Sequence, residues 1–299
     1  RFMMENKLVS IVIATFNAEK YILDLLDSVK KQTYENLELI IADDCSADNT
    51  QNIISDWVTE NRGRFFQVEL LFAKENQGTC KNYNQAMKRS NGEYIKLVDG
   101  DDILLPECIE MLVNECDKKK LDLLIGDIMW VQDDGVTYAE HHENIEKKQA
   151  FYKMDAEHQH RELLLNNDII ITVGEIFRKS FMERFHWFDE QYDLLEDYPF
   201  WLRITEEGVK IPFLDKKVAK YRISATSVRN PEKNTSIYNV RISKASKRNF
   251  YNLRLKGLLK ERQISVICRN IRRYLIRDIV IFLGNSNSNK ICRGLTILE

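Results

Sequence analysis

Between residues 8 and 126 the chain alternates short, nearly continuous apolar runs with longer segments whose apolar residues recur every three or four positions. Runs of four to eight residues rich in branched side chains are typical of strands buried on both faces of a parallel sheet. Five such runs predict strands at residues 8–14, 37–42, 68–73, 94–98 and 121–126. The intervening segments predict helices, so we expect an α/β fold with a mostly parallel sheet flanked by helices.

The pattern changes along the rest of the chain. It is less regular from about residue 127 to residue 223, and beyond Pro231 it becomes helical and basic. From Lys233 to Glu299 there are 15 Lys and Arg residues against 3 acidic ones, so this stretch carries +12 and the remainder −14. We therefore expect a main domain over residues 1–230 and a basic helical C-terminal extension over residues 231–299.

Composition narrows the class of protein. The 299 residues are 44% hydrophobic, which is enough for a sizeable core. The six cysteines show no CxxC spacing, so we expect reduced thiols in a cytoplasmic protein. We expect no signal peptide, no membrane span and no nucleic-acid partner.

Polar residues follow four of the predicted strands directly. In an open parallel sheet, ligands bind outside the carboxyl ends of the strands, so these residues are expected to share one site. They are TFN at 15–17, DDCS at 43–46, KENQGTCK at 74–81 and DGDD at 99–102.

The first strand–helix loop, ATFNAEK, contains no glycine, and neither GxGxxG in that loop nor GxxxxGK[ST] anywhere is present to cradle phosphates. A metal ion is the natural substitute. Asp99, Asp101 and Asp102 offer hard oxygen ligands around Gly100, which suits Mg²⁺ or Mn²⁺. Such an ion would neutralise a departing diphosphate. The alternative interpretation is an ordinary acidic surface turn.

Several motifs in order carry a family resemblance. They are LVSIVIATFNAEKYI, LIIADDCSADNT, NQGTCKNYNQAM, GEYIKLVDGDD, GEIFRKS, FDEQYDLLEDYPFWLRI and YRISATS. Together they resemble family 2 glycosyltransferases of the GT-A fold over roughly residues 8–227. The resemblance implies a nucleotide-binding part at about 8–127 and an acceptor-binding part at about 128–230, which together form the catalytic domain.

The resemblance also implies roles for individual residues. The Thr15–Phe16–Asn17 loop and Asp43 would receive the nucleotide base, with Asp43 accepting a hydrogen bond from a uracil imide. Glu19 would face the base or the ribose, and Lys81 would lie near the diphosphate. Asp99, next to Gly100, would approach the ribose or the metal, and Asp101 would bind the metal. Many members carry a histidine after the Tyr-Arg pair, where this chain has Ile223 and Ser224, so no contact is assigned there.

Asp197 matches the catalytic base of the family. A hydroxyl nucleophile needs a positioned base, and Asp197 precedes a predicted helix whose dipole would favour the ionised carboxylate at an N-cap position. The alternative interpretation is that Asp197 only caps the helix.

By family analogy we expect a metal-dependent, inverting transfer from a UDP-sugar to a glycan or lipid-linked glycan. The expected setting is bacterial cell-surface polysaccharide synthesis, such as capsule or O-antigen. Two alternatives stay open: a GT-A scaffold that only binds nucleotide-sugars, and a sugar nucleotidyltransferase. The latter class normally has a glycine-rich first loop with a basic residue, which ATFNAEK lacks.

The basic extension allows two interpretations. Residues 266–283 (VICRNIRRYLIRDIVIFL) combine four arginines with many apolar residues. Such a helix can lie peripherally in a membrane interface, here the inner face of the cell membrane. It can equally pack on the acidic main domain, and the two interpretations are compatible if different faces of the helix serve them.

Overall fold

The computed structural model describes residues 6–139, 145–166, 173–192, 194–223 and 235–299. In this part of the chain the strands are β1 (Val9–Thr15), β2 (Leu37–Asp43), β3 (Gln67–Phe72), β4 (Tyr94–Asp99), β5 (Ile103–Leu104), β6 (Leu123–Val131), β7 (Glu175–Arg178) and β8 (Phe213–Arg222). The α-helices before β8 are α1 (Ile22–Lys30), α2 (Thr50–Asn61), α3 (Thr79–Arg89), α4 (Cys108–Lys119), α5 (Ile145–Lys153), α6 (Ala156–Leu165), α7 (Lys179–Arg184) and α8 (Asp197–Glu206).

Four further helices follow β8: α9 (Val240–Asn249), α10 (Leu255–Lys260), α11 (Ile264–Phe282) and α12 (Lys290–Thr296). A π-helical turn (Phe250–Arg254) joins α9 to α10.

The strands form one sheet in the order β3-β2-β1-β4-β7-β6-β8-β5. Pairing is parallel among β3, β2, β1 and β4 and between β6 and β8. It is antiparallel where β7 lies between β4 and β6, and where the short β5 joins β8. The predicted mostly parallel α/β fold with C-terminal helices is therefore confirmed.

The sheet is covered on both faces by apolar residues, as the continuous apolar runs predict. All seven residues of β1 and all seven of β2 are buried. One core cluster contains Val12, Ile40 and Leu97 together with residues of α3, α6 and α8. The other contains Ile11, Ile13 and Leu39 together with residues of α1 and α4. The buried strands fix the register that brings the polar strand ends together.

That register decides where the site forms. Thr15 at the end of β1 lies opposite Asp43 of β2, and Ala14 lies opposite Asp99 of β4. Because the carboxyl ends of these parallel strands meet at one edge, the loops that follow them are neighbours.

The C-terminal helices pack against the body of the protein. The core cluster that contains Val12 of β1 and Ile40 of β2 also contains four residues of the C-terminal helices: Phe250, Leu258, Ile267 and Tyr274. Arg254 donates hydrogen bonds from its guanidinium to carbonyl oxygens at the end of α6. Within the described residues, none of the helices combines the length and the apolar character that crossing a bilayer needs.

Candidate active site

A cavity of about 290 Å³ opens at the carboxyl ends of β1 and β4. Its size is close to the lower end of the range for small-molecule sites. The described residues that line it are Ala14, Thr15, Phe16, Asn17, Ala18, Tyr21, Asp44, Asn76, Gly78, Thr79, Asn82, Asp99, Gly100, Asp101, Asp102, Leu194, Leu195, Glu196, Asp197, Tyr221, Arg241 and Ile242. Seven of the residues proposed for the site thus line one cavity: Thr15, Phe16, Asn17, Asp99, Gly100, Asp101 and Asp197.

The wall between β1 and β4 depends on a close approach at Gly100. A Cβ atom added there would lie 2.6 Å from Thr15 Oγ1 and 3.2 Å from the Ala18 methyl group. Any larger residue would therefore push the two loops apart. Phe16 beside them is 46% exposed, which leaves an aromatic face open at the rim of the cavity.

Arg222 at the end of β8 fastens the DGDD turn to the sheet. Its backbone N–H donates to Asp102 Oδ1 at 3.0 Å, and its Nε donates to the Asp101 carbonyl oxygen at 2.7 Å. The same guanidinium pairs with Asp24 of α1 at 2.8 Å. With Asp102 turned inward and buried, the turn presents Asp99 and Asp101 to the cavity.

The electrostatics of this turn are unusual. Burial, followed by the charge of Asp101, raises the pKa of Asp99 to about 7, although Tyr83 donates a hydrogen bond to its Oδ1 at 2.7 Å. Burial and the charges of Asp101 and Asp99 also raise the pKa of Asp102, whose Oδ2 is buried without a hydrogen-bond partner. Carboxylates that repel one another in this way are typical of a site completed by a cation.

These residues fit a divalent ion. Mg²⁺ and Mn²⁺ prefer carboxylate oxygens, and Mg²⁺ usually takes one or two carboxylates together with substrate phosphates and water. Within the described ranges, no three His, Cys, Asp or Glu side chains converge as a ready-made cage. A site in which Asp99 and Asp101 supply two carboxylates and the substrate supplies the remaining ligands agrees with that mode of binding.

Asp197 lies across the cavity at the start of α8. It is the first residue of the helix, with Glu196 at the N-cap, so it sits one position further in than the sequence suggested. Its Oδ1 accepts a hydrogen bond from the Tyr198 backbone N–H at 2.8 Å. Leu195, two residues before Asp197, has a φ of 64°. This left-handed conformation costs a bulky residue of order 1–3 kcal/mol and is concentrated at functional sites.

Three predicted residues lie outside the lining of the cavity. Asp43 is fully buried and accepts hydrogen bonds from the Ser46 backbone N–H at 2.9 Å and from the Gln51 side chain at 2.5 Å. Glu19 accepts a hydrogen bond from the Asn49 backbone N–H at 2.9 Å. Asp43 and Glu19 thus hold the loops that frame the site, while Lys81 is exposed on α3.

Other residues in or near the site were given no individual role from the sequence. Asp44, next to Asp43, accepts hydrogen bonds from the backbone N–H groups of Gln77 at 2.7 Å and Gly78 at 2.9 Å, and so shapes the loop before α3. Lys96 is fully buried in β4, and a lone lysine within an apolar run was the available signal. Arg241 lines the cavity from α9, and nothing in its local sequence marks it out.

Comparison with known proteins gives consistent matches. The model of the family described as "Glycosyl transferase family 2" matches residues 10–185, more than half of the chain. The glycosyltransferase GlyG of Streptococcus pneumoniae is 32% identical over 40% of this chain and 39% of its own. The poly(ribitol-phosphate) beta-N-acetylglucosaminyltransferase TarS of Staphylococcus aureus is 28% identical over 71% of this chain and 35% of its own. The chain therefore spans little more than a third of the length of these two relatives.

A third relative is matched over most of its length. The UDP-Glc:alpha-D-GlcNAc-diphosphoundecaprenol beta-1,3-glucosyltransferase WfgD of Escherichia coli is 27% identical over 75% of this chain and 81% of its own.

Solved structures share the fold. TarS residues 1–349 in complex with UDP-GlcNAc align with a TM-score of 0.58 at 20% identity, over 84% of this chain and 74% of that one. The mannosyltransferase PcManGT of Pyrobaculum calidifontis, in complex with GDP-Man and Mn²⁺, aligns with a TM-score of 0.57 at 16% identity, over 81% of this chain and 63% of that one.

Proposed function

The chain belongs to glycosyl transferase family 2, as its motifs predict, and we propose that it transfers a sugar from a UDP-sugar to a hydroxyl group of a glycan, with inversion at the anomeric carbon. The observation that carries this proposal is that Asp99 and Asp101 line the same cavity as Asp197. An edge that can hold a divalent cation thus faces a carboxylate base over a space that can hold a sugar.

In this proposal the donor nucleotide occupies the β1 side of the cavity. Phe16 and Asn17 meet the base, and Thr15 and Gly100 border the ribose and diphosphate. Asp43 and Glu19 act through the loops that they hold by hydrogen bonds. A UDP donor is supported by the name of WfgD and by the UDP-GlcNAc complex of TarS.

Asp99 and Asp101 would hold Mn²⁺ or Mg²⁺, and the Mn²⁺ complex of PcManGT supports this part of the proposal. When bound, such an ion neutralises the negative charge of the leaving diphosphate. Arg241 is the only Lys or Arg among the described residues that line the cavity. We assign it to the diphosphate, because a guanidinium binds phosphate oxygens well. The exposed Lys81 would act only if its side chain reaches in from α3.

Asp197 would remove the proton from the acceptor hydroxyl as its oxygen attacks the anomeric carbon. The new glycosidic bond forms on the face opposite the bond that breaks to the diphosphate oxygen, which leaves with the electron pair. The hydrogen bond that Asp197 accepts from the Tyr198 N–H favours the ionised form of Asp197, as does its position at the N-terminal end of α8. An acceptor hydroxyl on a glycan or a lipid-linked glycan is supported by the names of TarS and WfgD.

The test is a panel of UDP-sugars assayed for UDP release with Mn²⁺ or EDTA, using Asp197→Asn. We expect Mn²⁺-dependent turnover that falls roughly 10²–10⁴-fold in the variant, the usual contribution of a general base. Calorimetry should give near-unchanged affinity for UDP. The control is Glu206→Gln, a matched change at the exposed far end of α8 that should keep wild-type turnover.

Glu196→Gln completes the design. If this variant loses turnover and Asp197→Asn retains it, Glu196 is the base and the assignment is wrong. If the wild type binds UDP in the presence of Mn²⁺ but releases none from any donor, the chain is a nucleotide-sugar-binding protein.

A further inference from the structure

Helix α11 (Ile264–Phe282) has three distinct faces. One face contributes Ile267 and Tyr274 to the core of the body. A second face packs Ile276 and Val280 against Cys292 of α12. The third face is largely exposed. The interpretation in which the extension packs on the body thus accounts for two faces only.

The uncovered face is apolar. Ile264, Leu275, Ile279 and Phe282 are 57%, 57%, 46% and 89% exposed. Their spacing of eleven, four and three residues places them on one side of a helix with 3.6 residues per turn. We call these four residues the apolar stripe. Single exposed apolar residues are normal on soluble proteins, but an aligned set that includes an almost fully exposed phenylalanine marks an interaction surface.

The charges near the stripe are mostly basic. Arg269 and Arg272 are exposed on the same helix. The one acidic residue within α11, Asp278, is paired with Lys247 of α9. The stretch from Lys233 to Glu299 carries +12. A second copy of this surface would bring like charges together, whereas an anionic surface would complement them.

We propose that the apolar stripe rests in the interface of an anionic membrane, with Phe282, Ile279 and Leu275 at the boundary of the acyl chains and Arg269 and Arg272 at the headgroups. A helix with one apolar face and basic flanks binds membranes in this orientation, parallel to the surface. Helix α9, which contacts α11, carries the Arg241 that lines the cavity. The helix that meets the membrane therefore packs against a helix that contributes to the wall of the site.

The test is co-sedimentation of the full chain with phosphatidylcholine vesicles, with and without 30% phosphatidylglycerol. We expect binding to the anionic vesicles only, weakened in high salt. The variant Leu275→Gln/Ile279→Gln/Phe282→Gln should lose at least tenfold in partitioning. Arg269→Ala/Arg272→Ala should lose roughly fivefold per charge. The control is Phe66→Gln. Phe66 is 72% exposed, as a stripe residue is, but it lies before β3 and outside the stripe.

All variants change exposed side chains, so circular dichroism and unfolding should match the wild type. The proposal is overturned if the wild type ignores anionic vesicles at low salt, or if Phe66→Gln weakens binding as much as the triple variant does. It is also overturned if sedimentation equilibrium finds a dimer that the triple variant dissolves, because a second copy then covers the stripe. None of these readouts depends on transferase activity.

Discussion

Arg254 ties the C-terminal helices to the body, and its replacement tests whether the two are one folding unit. The residue is 4% exposed at the end of the π-helical turn. Its guanidinium donates to the carbonyl oxygen of Leu164 at 2.9 and 2.7 Å and to that of Leu165 at 3.0 Å. These are among the last carbonyls of α6, which have no partner within the helix, so the arginine acts as their cap.

We expect Arg254→Met to lower the free energy of unfolding by about 2–4 kcal/mol. A hydrogen bond from a charged donor contributes ~1.5–3 kcal/mol, and the three bonds share two acceptors, so their contributions do not add fully. Methionine keeps the apolar length that packs near Phe250, which limits any cavity. The loss is therefore mainly that of the polar contacts.

The assay is equilibrium unfolding in urea, followed by far-ultraviolet circular dichroism and by tryptophan fluorescence. The control is Lys256→Met, the same class of change at an exposed position of α10, expected within about 0.5 kcal/mol of the wild type. The reasoning is refuted if Arg254→Met unfolds within about 1 kcal/mol of the wild type. A separate early transition that leaves the main one unchanged would refute it as well, because the extension would then unfold alone.

Two further predictions concern the site and its support. Arg241→Ala should weaken UDP binding about tenfold and leave UMP binding nearly unchanged. Lys244→Ala on the same helix is the control. Equal losses for both nucleotides in calorimetry would contradict a contact with the diphosphate. Burial lowers the pKa of His160 below its usual 6.5, so the stability contributed by its neutral form is present above that pH and lost as the pH falls. Between pH 7.5 and 5.5 the wild type should therefore lose more stability in urea than His160→Gln, and parallel losses would contradict this assignment.

The first half of the fold was predictable because its signals are local. The apolar runs at residues 8–14 and 37–42 correspond to β1 (Val9–Thr15) and β2 (Leu37–Asp43) within one residue. Helix α3 (Thr79–Arg89) begins directly after Gly78, whose φ of 90° is a conformation that glycine adopts readily. Such signals depend on residues close together in the chain.

The rest of the sheet depends on contacts distant in sequence. The four-residue β7 fits between β4 and β6 because Gly174 lies against Gly126, where an added Cβ would come within 2.2 Å of the Gly126 carbonyl oxygen. Strand β6 extends five residues beyond its predicted end, through a register shift after Gly126, because β8 pairs with it. No periodicity within residues 128–230 encodes these pairings, so the sequence could not predict them.

The same distinction holds for the site. The rule that ligands bind at strand ends brought Thr15, Asp99 and Asp101 together correctly, since each follows a buried strand. The base contact of Asp43 was implied by the family resemblance, and the local sequence does not distinguish Asp43 from the adjacent Asp44. In the fold Asp43 points to Ser46 and Gln51, while Asp44 lines the cavity. Which of two neighbouring side chains faces a cavity depends on the loop conformation, here with a φ of 65° at Cys45.

Among the described residues that line the cavity, the carboxylates are not balanced by an equal number of cationic side chains. Two partly buried carboxylates elsewhere are matched by cations. Asp117 pairs with Lys7 and Arg178. Although burial raises the pKa of Asp127, its bonds to Lys148 and Lys217 lower that pKa, so that the net shift is downward. The described lining of the cavity instead holds six carboxylates and one guanidinium. Repulsion of that kind destabilises a folded protein, so a sequence that keeps it gains something other than stability from it. A bound divalent cation would relieve the repulsion. Because the six carboxylates would otherwise repel an anionic diphosphate, we expect donor binding at this site to depend on the metal.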